Sequence, residues 1–310
     1  MKENKKSRRI LAIFAHPDDE TFLAGGTLAK YAAAGWDVFL LCATRGEAGK
    51  RGEYGRLTRE QFALLRKEEL EAACRALGIH RPVFLECADK GLARDCWNSA
   101  TEEIVHAIRR IRPDVVVTFG PDGISGHPDH VALSQIVTAG FWGAGMSTYL
   151  TGKQGKAAPF RPSHLYYVLR SLSVLECCKP SSPQKARTLT TVVDIRGFGE
   201  RKLEAMRAHR SQKHMQFSDP ALIEKMLTAP ENFHRAFPIW HGPGLEADLF
   251  GDVDSESSNQ VHRKHNIDPV AEPQQMNNGV TGWPSSSSQR PTPALVISQP
   301  TAPEEGTPHK

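Results

Sequence analysis

The chain has no apolar run of membrane length. After a basic start, the stretch Ile10 to Ala15 ends in a cluster of charge. A secretory core needs roughly 7 to 15 apolar residues and a membrane span nearer 20, so the sequence predicts a soluble, cytoplasmic protein without a membrane span. The six cysteines, Cys42, Cys74, Cys87, Cys96, Cys177 and Cys178, show no Cys-x-x-Cys spacing. That excludes a zinc ribbon or dithiol motif and reads most simply as reduced thiols; the adjacent Cys177-Cys178 has no partner at zinc-site spacing. Charge is equally sparse in information: Lys plus Arg number 39 against 35 for Asp plus Glu, a net +4. With no aromatic-basic cluster, nothing suggests nucleic acid as a partner. Internal repeats are absent, and so is a Gly-x-Gly-x-x-Gly turn after the first apolar strand, the fingerprint of a dinucleotide fold.

What is present is alternation. Runs at Ile10 to Phe14, Val38 to Ala43, Pro82 to Glu86 and Val115 to Phe119 read as strands. Between them lie helical patterns: Glu20 to Ala34 closed by Gly35, and a second opened by a capping box at Thr58 and Gln61, striped by Phe62, Leu65, Leu70, Ala73 and Leu77, and stopped by Gly78. A third, with a possible box at Ser99 and Glu102, carries Ile104, Ile108 and Ile111 on one face before Pro113. Gly25-Gly26 inside the first helix suggests close approach of another element. A helix over about 131 to 141, a loose stretch from Gly143 to Pro162, strands at His164 to Leu169 and Thr191 to Ile195, and a helix from Gly199 to Lys213 complete the pattern. Short connections between alternating strands and helices predict an α/β fold with a mainly parallel sheet flanked by helices. From Val253 the composition shifts: eight of the 21 prolines and runs of serine fall in 253–310. Such a segment buries too little apolar surface to offset its ordering entropy, which predicts a folded domain over 1–252 and a disordered Pro/Ser-rich tail over 253–310.

Two of the strands end in chemistry. His16-Pro17-Asp18-Asp19-Glu20 follows the first, and Gly126-His127-Pro128-Asp129-His130 comes after Val115 to Phe119. In an open parallel sheet the carboxyl ends of strands face the ligand crevice, so both runs belong on one edge. His16 and Asp19 offer donor atoms that suit zinc; the second run can supply a third, leaving a fourth position for water. Proline, aspartate and histidine are also turn and cap formers, and one such run would carry little weight. Two runs placed alike, with Ala208-His209-Arg210-Ser211-Gln212 as a third motif, favour a site.

In this order the three motifs resemble the signature set of the PIG-L/LmbE-like N-deacetylases, zinc enzymes that act on N-acetylglucosaminyl conjugates. Arg66-Lys67-Glu68-Glu69-Leu70, Val193-Asp194-Ile195, Lys202 and Asp248-Leu249-Phe250 extend the resemblance across about residues 8 to 252. It implies an LmbE-like, Rossmann-like three-layer sandwich. It also implies His16, Asp19 and His130 as metal ligands, zinc as the cofactor with ferrous iron as the alternative, Asp18 as general base and His127 as the electrophilic or acid partner. Arg66 and Asp89 fall where the family places sugar-contacting groups, although Lys90 separates Asp89 from Gly91, and Arg66 could instead lie on a solvated helix face. His209 belongs either near the metal and substrate or in a capping and packing role, and Glu20 either orients a ligand or opens a helix. Ser125 stands where some thiol-pathway members carry tyrosine, which weakens a specific assignment to mycothiol chemistry.

The function implied is hydrolysis of the acetamide of a small-molecule N-acetylated sugar conjugate to amine and acetate, with oligomeric association left open. An amidase of the same fold acting on a thiol or other acyl conjugate would share the residues. A non-catalytic sugar- or nucleotide-binding module is the competitor of another class, and it lacks its expected glycine turn.

Overall fold

Isoleucine and valine runs without polar alternation become strands covered on both faces, as parallel sheets require. In the computed structural model, which describes residues 8–149, 157–170, 188–212 and 219–250, Ile10 to Phe14 and Val115 to Val117 are fully buried. Strand β1 (Arg9–Phe14) lies between β2 (Asp37–Cys42) and β4 (Val115–Phe119), parallel to both. Beyond β2 comes the short β3 (Val83–Phe84) and beyond β4 comes β5 (His164–Leu169), again parallel. Two strands then close the other edge: β7 (Glu231–Phe237) runs antiparallel to β5, and β6 (Thr191–Val193) antiparallel to β7. The seven-stranded order is β3-β2-β1-β4-β5-β7-β6. The chain therefore winds outward from β1 in one direction and restarts at β4 in the other, which puts the topological switch point between β1 and β4.

Helices cover the sheet in two groups. Helices α1 (Asp19–Ala33), α2 (Arg59–Leu77) and α7 (Gly199–Ala208) pack on one another. In the second group α4 (Trp97–Ile111) packs on α6 (Pro128–Gly145), with α3 (Leu92–Asp95) and α5 (Gly123–Gly126) as single turns beside it. Helix α8 (Pro220–Thr228) leans on α7. The capping box at Thr58 and Gln61 forms, and Gly78 closes α2 at φ 75°. Gly26 explains its own presence: a Cβ there would fall 2.6 to 2.8 Å from Ile195 side-chain atoms. The Asp248-Leu249-Phe250 motif is structural, since the Leu249 amide donates to the Tyr31 hydroxyl at 2.9 Å and Phe250 packs on Trp36.

Some expectations are corrected. Cys87 and Cys96 are bridged, with Cα atoms 5.8 Å apart, whereas Cys42 and Cys74 are buried free thiols. The second capping box does not form: α4 opens at Trp97, and the Ser99 hydroxyl donates to the Cys96 carbonyl from inside the first turn. Helix α6 starts at Pro128 and runs to Gly145, taking the first residues of the loose stretch. Helix α7 stops before His209. Cys177-Cys178, residues 150–156 and the 253–310 tail lie outside the described residues. Among the described residues no helix is long and apolar enough to cross a membrane.

Candidate metal and catalytic site

Both strand-end motifs open onto the switch point, and there they meet. His16 Nδ1 lies 3.2 Å from His130 Nε2, Asp19 Oδ1 lies 3.3 Å from the same nitrogen, and Asp19 Oδ2 lies 3.4 Å from His16 Nδ1. In a tetrahedral site with bonds of about 2.0 to 2.1 Å, neighbouring donors stand about 3.3 to 3.4 Å apart. The two imidazole nitrogens stand at about that separation, and Asp19 meets each of them at a similar distance through a different oxygen.

The rest of each ring supports the same reading. His130 Nδ1 lies 3.1 Å from the Gly123 carbonyl, which can only accept, so the proton sits on Nδ1 and the Nε2 lone pair faces His16. A stacked Phe119 ring, centroids 4.1 Å apart, holds the imidazole flat. His16 turns its Nε2 to Asp129 and Asp89, each at 3.3 Å. An Nε2–H there donates to those carboxylates and leaves Nδ1 as the atom that faces His130 and Asp19, the arrangement that orients histidines at metal sites. Asp129 is anchored in turn by the amides of Lys90 at 2.6 Å and Leu92 at 3.3 Å. Burial pushes the His16 imidazole down, but Asp129, Asp19 and Asp89 outweigh it and hold its pKa well above the ordinary value. Asp19 is the complement: burial raises it, and His130 and His16 draw it well below the usual carboxylate range. Two further groups are compact, His16 with His127 and His130, and His16 with Asp89 and Asp129, each with donor atoms within 4.8 Å.

Asp18 precedes α1 at φ 122° and ψ −29°, a left-handed conformation rare for a non-glycine residue. Arg66 holds it there, donating to Asp18 Oδ2 at 3.0 Å, to the Pro17 carbonyl and to the Gly46 carbonyl at 3.0 Å. Arg66 is therefore buried rather than on a solvated face. From the other side Glu20 accepts the Asp18 amide at 3.1 Å and lies 3.1 Å from His209 Nε2. His209 is fully buried behind Glu20; burial opposes its protonation and Glu20 overcomes that, raising its pKa.

His127 caps α6, its Nδ1 accepting the Asp129 amide at 3.2 Å. A neutral ring that accepts through Nδ1 carries its proton on Nε2, which makes His127 a donor without prior protonation. Burial, then the neighbouring charges of His16 and His130, lower its pKa and keep that form.

An open cleft of about 230 Å³ fronts the cluster, lined by His16, Asp18, Arg66, Asp89 and His127. His209 is not among its walls. Lys50, Lys90 and Gln212 also line it and were not anticipated from the sequence. Gln212 could have been found through its motif, whose Ser211 is pinned by its amide and hydroxyl to Glu69 at 2.8 and 2.6 Å. The lysines carried no signal beyond their loop.

Residues 11–141 match the PIG-L family model, described as GlcNAc-PI de-N-acetylase. The chain is 35% identical over 293 residues to the 1D-myo-inositol 2-acetamido-2-deoxy-α-D-glucopyranoside deacetylase of Rhodococcus jostii (strain RHA1), covering 79% of this chain and 98% of the relative. Among solved structures, a conserved protein of Thermus thermophilus superposes with a TM-score of 0.57 at 27% identity, over 76% of this chain and 97% of that one. The 4-carboxy-2-hydroxymuconate hydratase of Pseudomonas putida KT2440 shares the fold alone, with a TM-score of 0.59 at 19% identity over 76% and 99%. The match to nearly the whole length of the Rhodococcus enzyme carries the relationship beyond fold, and the chain belongs to the PIG-L family of de-N-acetylases.

Proposed function

We propose that the chain hydrolyses the acetamide of an N-acetylglucosamine conjugate to a free amine and acetate, with a divalent metal held by His16, Asp19 and His130. The observation that carries this is the set of close separations, 3.2, 3.3 and 3.4 Å, that link His16 Nδ1, His130 Nε2 and the two Asp19 oxygens, with both imidazoles oriented from behind. Two imidazoles and one carboxylate suit zinc, with ferrous iron as the alternative. Such an ion would polarise the acetyl carbonyl and lower the pKa of water toward neutrality. The protein supplies the remainder. Asp18, aimed into the cleft by Arg66, takes a proton from the water as its oxygen bonds to the carbonyl carbon. His127 donates from Nε2 to the oxyanion that forms. When the C–N bond breaks, the leaving nitrogen takes the proton Asp18 collected, which returns Asp18 to the carboxylate while His127 keeps its Nε2 proton.

Arg66 and Asp89 line the cleft and are the sugar-facing groups in this reading. The substrate class is taken from the Rhodococcus relative, whose name places the acetamide on a glucosaminide of inositol; Ser125 does not by itself remove the chain from that class. The setting we propose is the cytoplasm. Buried thiols at Cys42 and Cys74 fit it, while the Cys87–Cys96 bridge pulls toward an oxidising compartment. The test is to strip the protein with a chelator, reload it with zinc or iron, and measure bound ion and acetate released from 1D-myo-inositol 2-acetamido-2-deoxy-α-D-glucopyranoside. Stoichiometric ion with acetate release is expected, and Asp18→Ala should keep the ion while losing about 10²- to 10⁴-fold in kcat. A metal-free protein that binds nucleotide tightly would replace the enzyme with a binding module.

A further inference from the structure

The proposed reaction asks Asp18 to hold a carboxylate at one place in the cleft. A non-glycine backbone at φ 122° persists only where its surroundings determine it from several sides. Arg66 secures the Asp18 carboxylate and the Pro17 carbonyl. The Asp18 amide is secured separately, by Glu20 Oε2 at 3.1 Å. Glu20 is itself fully buried, and a buried carboxylate holds its orientation only when its oxygens are paired. Its Oε1 accepts the Thr21 hydroxyl at 2.5 Å and lies 3.1 Å from His209 Nε2. His209 reaches that point from 189 residues along the chain. The turn after it is fastened by the Gln212 amide to the His209 carbonyl at 3.0 Å and by Ser211 to Glu69. His209 Nδ1 has no hydrogen-bond partner among the described residues, so the ring's polar engagement is with Glu20 and Thr21.

Resting on that reading of the reaction, we propose that His209 is a positioning residue: by donating to Glu20 it fixes the Asp18 backbone, and through it the aim of the Asp18 carboxylate. His209 is not among the residues that line the cleft, and among the described residues its side-chain hydrogen bonds go to Glu20 and Thr21 and not to His16, Asp19 or His130. The same motif thus serves two sides of the site, His209 behind the base and Gln212 in the cleft wall.

The full chain, loaded with zinc, is assayed on 1D-myo-inositol 2-acetamido-2-deoxy-α-D-glucopyranoside with bound ion and Tm followed in parallel. His209→Leu should lower kcat on the order of ten- to a hundredfold, with KM and bound ion within about twofold of the parent. His209→Gln, whose amide can still donate to Glu20, should regain most of the loss. In an Asp18→Ala background, His209→Leu should cost nothing more, because the group it positions is gone. If His209→Leu does not fold, His209→Gln and Glu20→Gln carry the test: Glu20→Gln should reduce kcat and leave KM and ion content in place. Parent-like kcat in His209→Leu or Glu20→Gln, a change confined to KM, a His209→Gln no better than His209→Leu, or a further loss in the Asp18→Ala background would overturn the positioning role. A zinc-loaded parent that releases no acetate would overturn the functional reading itself, and this proposal with it.

Discussion

His16 works on both edges of its ring: Nδ1 faces Asp19 and His130, and Nε2 faces Asp129 and Asp89. The carboxylates behind it decide which nitrogen is free to bind a cation. Asp129→Asn should therefore weaken zinc affinity about 10- to 100-fold, measured by competition with a chelator; unchanged affinity would show that Asp129 has no part in preparing His16. Arg66 poses a separate test. Its fork spans Asp18, the Pro17 carbonyl and the Gly46 carbonyl, and a lysine ammonium cannot cover those directions at once. Arg66→Lys should lower kcat by roughly tenfold or more while ion content stays at the parent level; loss of the ion instead would place Arg66 in the metal site. At this scale the gathering of His16, Asp18, Asp19, His127 and His130 in one cluster was legible because each lies in a short motif that follows a buried strand. The work of Asp129 was not. Its anchors are the Lys90 and Leu92 amides, and nothing in the 126–130 run says that this loop will arrive there. Nor could the stripe on α2 show that Arg66 would turn inward, since amphipathic spacing fixes a face and not the acceptors that face meets.

Among elements, local chemistry was read in part, since the Ser99 and Glu102 box and the Cys87–Cys96 bridge were misjudged, and distant pairing was read poorly. The Thr58 and Gln61 box is complete within four residues and forms as expected. Thr58→Ala should cost about 1 kcal/mol, seen as a lower urea midpoint with an unchanged slope. Gly26 tests closeness between elements: Gly26→Ala must push Ile195 aside, for about 1 to 3 kcal/mol by the same measurement. A neutral outcome would mean that the contact between α1 and the segment after β6 is loose. Strand β7 shows why some elements stayed hidden. Its inward positions alternate correctly, but Glu231 and Arg235 occupy two of them. Glu231 meets Lys202 at 2.6 Å and accepts the Gly26 and Thr27 amides, and Arg235 pairs with Glu246. A strand whose buried face is charged is recognisable only when partners from α7, α1 and the 241–250 segment are already in place.

At the level of the whole molecule, a similar fold carries a muconate hydratase in Pseudomonas putida, so the sheet does not select the reaction. What the sheet does is bring two strand ends together at the switch point, where five ionisable side chains crowd around His16. An ion bound only by the folded form should stabilise all of it. At a hundred times its Kd the gain is about 2.7 kcal/mol, which for a domain of this size raises Tm by roughly 5 to 10 °C. The same zinc addition should do little to a His16→Ala, His130→Ala double variant; an equal shift there would point to binding elsewhere. The most direct measurement is anomalous diffraction at the zinc edge from crystals of the loaded protein. We expect one peak about 2.0 to 2.2 Å from His16 Nδ1, an Asp19 oxygen and His130 Nε2. A peak on the opposite edge of the ring, among His16 Nε2, Asp89 and Asp129, or no peak at all, would contradict the assignment of this site.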